Sequence, residues 1–140
     1  MFVVIDLFFE LCFMKNEIRK NFELSGKVVK GEMLGRKIGY PTINVFGRFD
    51  LPEGVYVSVV STLKGRFKGA LHYGPRKTFG KVQPVLEVHL LNFSGDLYDE
   101  TVKIDVYNKI RDVKSFNDLN DLKLQIEKDA AEVALADVPL

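Results

Sequence analysis

From Leu24 onward the chain runs as short stretches broken by glycine, some rich in β-branched and aromatic residues, as in GVYVSVVSTL, and others alternating apolar with polar positions, as in TVKIDVYNKI. A two-residue period is that of a half-buried β-strand. These patterns predict strands over LSGKVVKGE (24–32), TINVF (42–46), GVYVSVVSTL (54–63), FKGALHYG (67–74), PVLEVHLLNF (84–93) and TVKIDVYNKI (101–110). LKGR and FSGD read as turns between them. In the last strand Val102, Ile104, Val106 and Ile110 oppose Lys103, Asp105, Tyr107 and Lys109. The period changes at Ser115. In SFNDLNDLKLQIEKDAAEVAL (115–135), Leu119, Leu122, Ile126, Ala130 and Val133 recur at spacings of three and four, an amphipathic helix with a polar start. Six antiparallel strands and one C-terminal helix predict a mainly β fold, a closed or nearly closed barrel with the helix over one opening or flank. Closure removes the sheet edges that invite aggregation.

The N-terminal run MFVVIDLFFELCF breaks this pattern. It is shorter than the roughly 20 residues a membrane span needs. Asp6 and Glu10 interrupt it, and it lacks the basic start and small-residue cleavage site of a secretory signal. Residues 1–13 read as sequence upstream of a start at Met14, or as an amphipathic element packed on the barrel. The domain plan is an extension over 1–23 and one folded domain over 24–136.

Composition narrows the function. A chain of 140 residues is one domain's length. Lys plus Arg number 20 against 19 Asp plus Glu, so no bulk charge points to nucleic acid or to a membrane surface. Cys12 is the single cysteine, which excludes an intrachain disulfide and a cysteine metal cluster and fits a reducing, cytoplasmic setting. His72 and His89 lack the ligand cluster of a zinc site.

Three stretches carry candidate chemistry. GEMLGRKIGYPTIN (31–44) is not a Walker loop, because its glycine spacing is short, Arg36 stands in the lysine's place, and a strand rather than a helix follows. Its glycines and Arg36–Lys37 suit a phosphate nest, while Thr42 and Asn44 share one face of an extended segment behind Pro41. The same composition also suits a glycine-rich strand connection. In PVLEVHLL, Glu87 and His89 face away from Leu86, Val88 and Leu90. Glu87 is either a general base in an apolar strand or an outward polar residue. In IRDVKSF (110–116), Arg111, Lys114 and Phe116 either clasp a planar ligand or begin the helix with Phe116 in the core.

Taken in order, GKVVKGEMLGRKIGYPTIN, PEGVYVSVV, PVLEVHLLNFSGDLYD and IRDVKSF resemble the riboflavin kinase family, and specifically the kinase half of bacterial bifunctional riboflavin kinase/FAD synthetases. The resemblance covers about residues 24–134, and the chain reads as a stand-alone kinase. It implies a six-stranded Greek-key barrel with a C-terminal helix, and an ATP-dependent riboflavin kinase that forms FMN and ADP. By the same resemblance Gly31 and Arg36 lie over the ATP phosphates. Thr42 and Asn44 bind ATP together with Mg²⁺, and Glu87 is the base for the ribityl 5′-hydroxyl. Leu90, Asn92 and Tyr98 line the adenine side, while Arg111, Lys114 and Phe116 hold the flavin. The implied partners are ATP/ADP and riboflavin/FMN, with no nucleic acid or membrane, and the implied state is a cytoplasmic monomer.

Departures from the family pattern are Ile43 for alanine, Asn92 for a common aspartate, Asp99 for a glycine, and ALHYGPRKTFG, where Lys77 takes a proline's place. If that glycine has a positive φ, an aspartate tolerates it better than most residues do. The alternative reading is a catalytically weak flavin-binding or regulatory protein on the same barrel. An oligonucleotide-binding barrel lacks support, because no strand pair is both basic and studded with aromatics.

Overall fold

The computed structural model describes residues 19–31, 41–75 and 84–140. The elements are β1 (Phe22–Val29), β2 (Thr42–Phe46), β3 (Gly54–Thr62), β4 (Gly65–Pro75), β5 (Pro84–Leu90), β6 (Thr101–Arg111) and α1 (Leu119–Leu135). The strands close into a barrel in the order β1-β2-β5-β4-β3-β6, every neighbouring pair antiparallel. β6 returns to lie beside β3 after the β3–β4–β5 run, which is the Greek key.

Alternation explains the interior. Val28, Ile43, Val45, Tyr56, Val60, Leu71, Tyr73, Leu86, Val88, Val102, Ile104 and Val106 point inward from the six strands and form the barrel core. β1 starts at Phe22, two residues before the expected Leu24, because Phe22 and Leu24 both pack against this core opposite Val106 and Ile104. β5 stops at Leu90 rather than at Phe93. Asn92 has φ 57°, a left-handed conformation that cannot continue a strand.

A second cluster joins Val57, Val59, Ala70 and Tyr107 on the outside of β3, β4 and β6 to Val133 of α1 and to Val138. The helix therefore covers a flank of the barrel. It begins at Leu119 rather than Ser115, because the Asp118 side chain accepts the Asn120 N–H at 2.9 Å and caps it. At its other end Lys68 of β4 donates to the carbonyls of Ala134 and Ala136 at 3.2 and 2.7 Å. This supplies from another strand the cation that the last helical turn lacks.

Two positions on α1 differ from the periodic reading. Leu119 is 57% exposed, since it sits ahead of the packed turns, and Asp129 is buried on the face that meets the barrel. Likewise Asp105 and Tyr107 of β6, placed on the polar face by alternation, are both buried. Tyr107 lies under α1, and Asp105 sits between Lys20 and Arg66 at 3.6 and 3.5 Å. No helix among the described residues is long and apolar enough to cross a membrane.

Candidate active site

With the apolar residues of β2, β4 and β5 turned inward, their polar partners are left on the outer surface of the barrel. Register aligns them in rows. Asn44 of β2 stands beside Glu87 of β5, which stands beside His72 of β4. Thr42 stands beside His89 in the next row, and the Thr42 hydroxyl lies 3.0 Å from His89 Nδ1. The Leu90 N–H bonds the Pro41 carbonyl at 3.0 Å and holds the start of β2 against the end of β5. Directly opposed side chains on a sheet are about 5 Å apart at Cβ, so Asn44, Glu87 and His72 lie within reach of one bound molecule.

Asn44 is only 9% exposed, and among the described residues its amide oxygen has no hydrogen-bond partner. A buried amide oxygen left in that state is costly unless a ligand meets it. Gly31 lies against this amide, and a methyl group built at Gly31 would overlap the Asn44 side chain. The glycine is required there by close approach. Arg36 and Lys77 lie outside the described residues, as do residues 1–18.

A small open cleft is lined by Thr42 together with Val28, Pro41, Ile43, Phe93, Gly95, Asp96, Leu97 and Tyr98. Of the three residues expected on the adenine side, Tyr98 lines this cleft, with Lys30 Nζ 5.9 Å from its ring centre. Asn92 is exposed on the turn after β5, and the Leu90 side chain is in the barrel core at 2% exposure. Phe93 and Leu97 line the cleft without having been singled out in the sequence. The turn signal in FSGD marked their neighbourhood but not their direction. Asp99, at the end of this loop, has φ 67°, so the conformation for which its family position favours glycine is present.

On the other side of Glu87 the row continues through His72 to Val55 of β3 and Arg111 of β6. Three strand spacings separate the backbones of Glu87 and Arg111, roughly 14 Å along the sheet. The Arg111 side chain turns toward α1, where it forms two parallel bonds with Asp129 at 2.9 and 2.8 Å. Lys114 is exposed and Phe116 half-buried in the segment that follows. Lys109 and Asp112 pair at the start of that segment. Their hydrogen bond raises the lysine's pKa and lowers the carboxyl's.

The arrangement offers a carboxylate flanked by a buried amide, a hydroxyl oriented by an imidazole, and a cleft beside them. No group of three or more His, Cys, Asp or Glu among the described residues gathers to hold a metal. The neutral oxygens of Thr42 and Asn44, the second of them buried and without a hydrogen-bond partner among the described residues, suit a hard cation that takes few protein ligands.

The chain is similar to several known proteins. A bifunctional riboflavin kinase/FMN adenylyltransferase of Buchnera aphidicola is 37% identical over 130 residues, covering 84% of this chain and 42% of the relative. The chain thus spans less than half the length of that relative. A solved structure described as riboflavin kinase from Trypanosoma brucei aligns with TM-score 0.59 and 28% identity, over 83% of this chain and 79% of that one. Another, described as a macrolide-efflux protein from Streptococcus pneumoniae, aligns with TM-score 0.72 and 32% identity, over 81% of this chain and 38% of that one. Residues 18–136 match the flavokinase (riboflavin kinase) family model, and the chain belongs to the riboflavin kinase family.

Proposed function

We propose that the chain is an ATP-dependent riboflavin kinase that transfers the γ-phosphoryl group of ATP to the ribityl 5′-hydroxyl of riboflavin. The observation that carries this reading is the Asn44–Glu87 pair on the outer barrel face, with the Asn44 amide oxygen buried under Gly31 and without a hydrogen-bond partner among the described residues.

In this reading Tyr98 and the cleft beside Thr42 receive the adenine, and Gly31 lies over the phosphates. Thr42 and Asn44 hold a Mg²⁺ ion that arrives with the nucleotide, and the ion supplies charge neutralisation to the phosphates. Glu87 accepts the proton of the 5′-hydroxyl. The hydroxyl oxygen then bonds to the γ-phosphorus as the bond to the ADP oxygen breaks. Such a transfer needs alignment and charge placement more than covalent help, which a rigid sheet with fixed register provides. Lys114 and Phe116 face the flavin. The chain acts as a monomer on small molecules in the cytoplasm.

The test is purified protein with riboflavin, ATP and Mg²⁺, with FMN read by chromatography. Formation of FMN that requires all three supports the proposal. Flavin binding with no FMN would favour a regulatory flavin-binding barrel.

A further inference from the structure

Arg111 belongs to the segment assigned to the flavin, yet its guanidinium is committed elsewhere. Nε and Nη2 bond the two oxygens of Asp129 at 2.9 and 2.8 Å, and Nη1 bonds the Asp112 carbonyl at 3.0 Å. Its side chain is 14% exposed and that of Asp129 6%. Asp129 takes a third bond, from Gln125 Nε2 at 2.9 Å. Three of the five guanidinium N–H groups are therefore used inside the protein.

Apolar residues of similar size often stabilise a buried position as well as a charged pair does. What a bidentate fork adds is a fixed geometry between the two elements that carry it. Those elements matter here. Arg111 ends β6, and the segment from Asp112 leads to Asp118, the cap of α1. Tying Arg111 to the middle of α1 fixes both ends of this arch. A further tie is Val113, which packs on Gly74 so closely that a methyl group there would meet it at 2.8 Å. Gly74 lies on the same strand as His72, the neighbour of Glu87. The clamp thus sets how far Lys114 and Phe116 stand from Glu87, whereas Thr42, Asn44 and the nucleotide cleft lie on its far side.

We propose that Asp129 is a positioning residue for flavin binding, which it serves by holding Arg111 and with it the 112–118 arch. This rests on the kinase reading above and assigns Arg111 to the clamp rather than to ligand contact.

The test uses the whole chain with two direct binding measurements: quenching of riboflavin fluorescence, and calorimetry with Mg·ADP. Asp129→Asn is expected to raise the riboflavin Kd about tenfold, the scale of one charge-assisted hydrogen bond, while the Mg·ADP Kd stays within about twofold. Gln125→Leu, which leaves the ion pair in place, shifts riboflavin binding in the same direction by less. A folded Asp129→Asn that binds riboflavin as the wild type does overturns the proposal, and so does an equal loss of both ligands. If Asp129→Asn does not fold, unchanged riboflavin binding in both Gln125→Leu and Arg111→Lys overturns it. A wild-type chain that binds riboflavin and forms no FMN overturns the kinase reading alone, and the binding difference still decides the clamp.

Discussion

The hydroxyl of Thr42 and Nδ1 of His89 lie 3.0 Å apart on neighbouring strands, which ties the first residue of β2 to the outer face of β5. A hydroxyl that is free to rotate must be ordered when it meets a ligand, and this contact orders it beforehand. His89→Ala is expected to weaken Mg·ADP binding several-fold, equivalent to about 1 kcal/mol for one hydrogen bond. Calorimetry with Mg·ADP checks this, and wild-type affinity in the variant removes His89 from the site.

Gly31 lies where a side chain would displace the Asn44 amide. Gly31→Ala should therefore lower kcat/KM by about tenfold or more through misplacement of a single site group. In an Asn44→Ala background the same change should cost far less, since the obstruction is gone. Additive losses in the double variant would contradict the steric account.

Glu87→Gln keeps the shape of the side chain and removes its capacity to take a proton. Turnover should fall by about 10² to 10⁴, the range for loss of a general base, with the KM for ATP little changed. Turnover at the wild-type rate would take Glu87 out of the mechanism.

Asp99 holds a left-handed conformation locked by its N–H bond to the Val28 carbonyl at 3.0 Å. A β-branched residue resists that geometry more than an aspartate does. Asp99→Val should destabilise the fold by about 1–2 kcal/mol, while Asp99→Gly should stay within ~1 kcal/mol of wild type. Urea denaturation distinguishes them, and equal stability of the two variants would show that the turn does not constrain residue 99.

Tyr56 is buried in the barrel core and donates to the Pro52 carbonyl at 2.7 Å. Burial pushes its phenol pKa above the ordinary value. Because the folded state holds this proton more tightly than the unfolded chain, its contribution is intact below about pH 10 and is lost as pH rises through the folded pKa. Tyr56→Phe should flatten part of that alkaline loss. An unchanged slope above about pH 10 would mean that other groups cause it.

Much of the fold was legible because strand side chains alternate strictly. Leu86, Val88 and Leu90 against Glu87 and His89 required only a period of two, and the structure keeps both faces as read. Where alternation misled, a long-range partner was responsible. Asp105 is buried because Lys20 and Arg66 reach it, and Tyr107 because α1 covers it. Of Leu90, Asn92 and Tyr98, expected together on the adenine side, Tyr98 lines the cleft, while the Leu90 side chain packs in the barrel core.

The strands, the helix, and which residues of each strand share a face follow from local geometry and can be read along the chain. Tertiary structure alone decided which faces meet. Asn44, Glu87 and His72 come from three separate segments, and only the strand order β2-β5-β4 and its register bring them into one row. Arg111 and Asp129 belong to different elements, and no periodicity marks an aspartate on a helix's buried face as the partner of an arginine at a strand's end. Register and helix docking are set by the sum of core contacts along the closed barrel, which no single stretch of sequence contains.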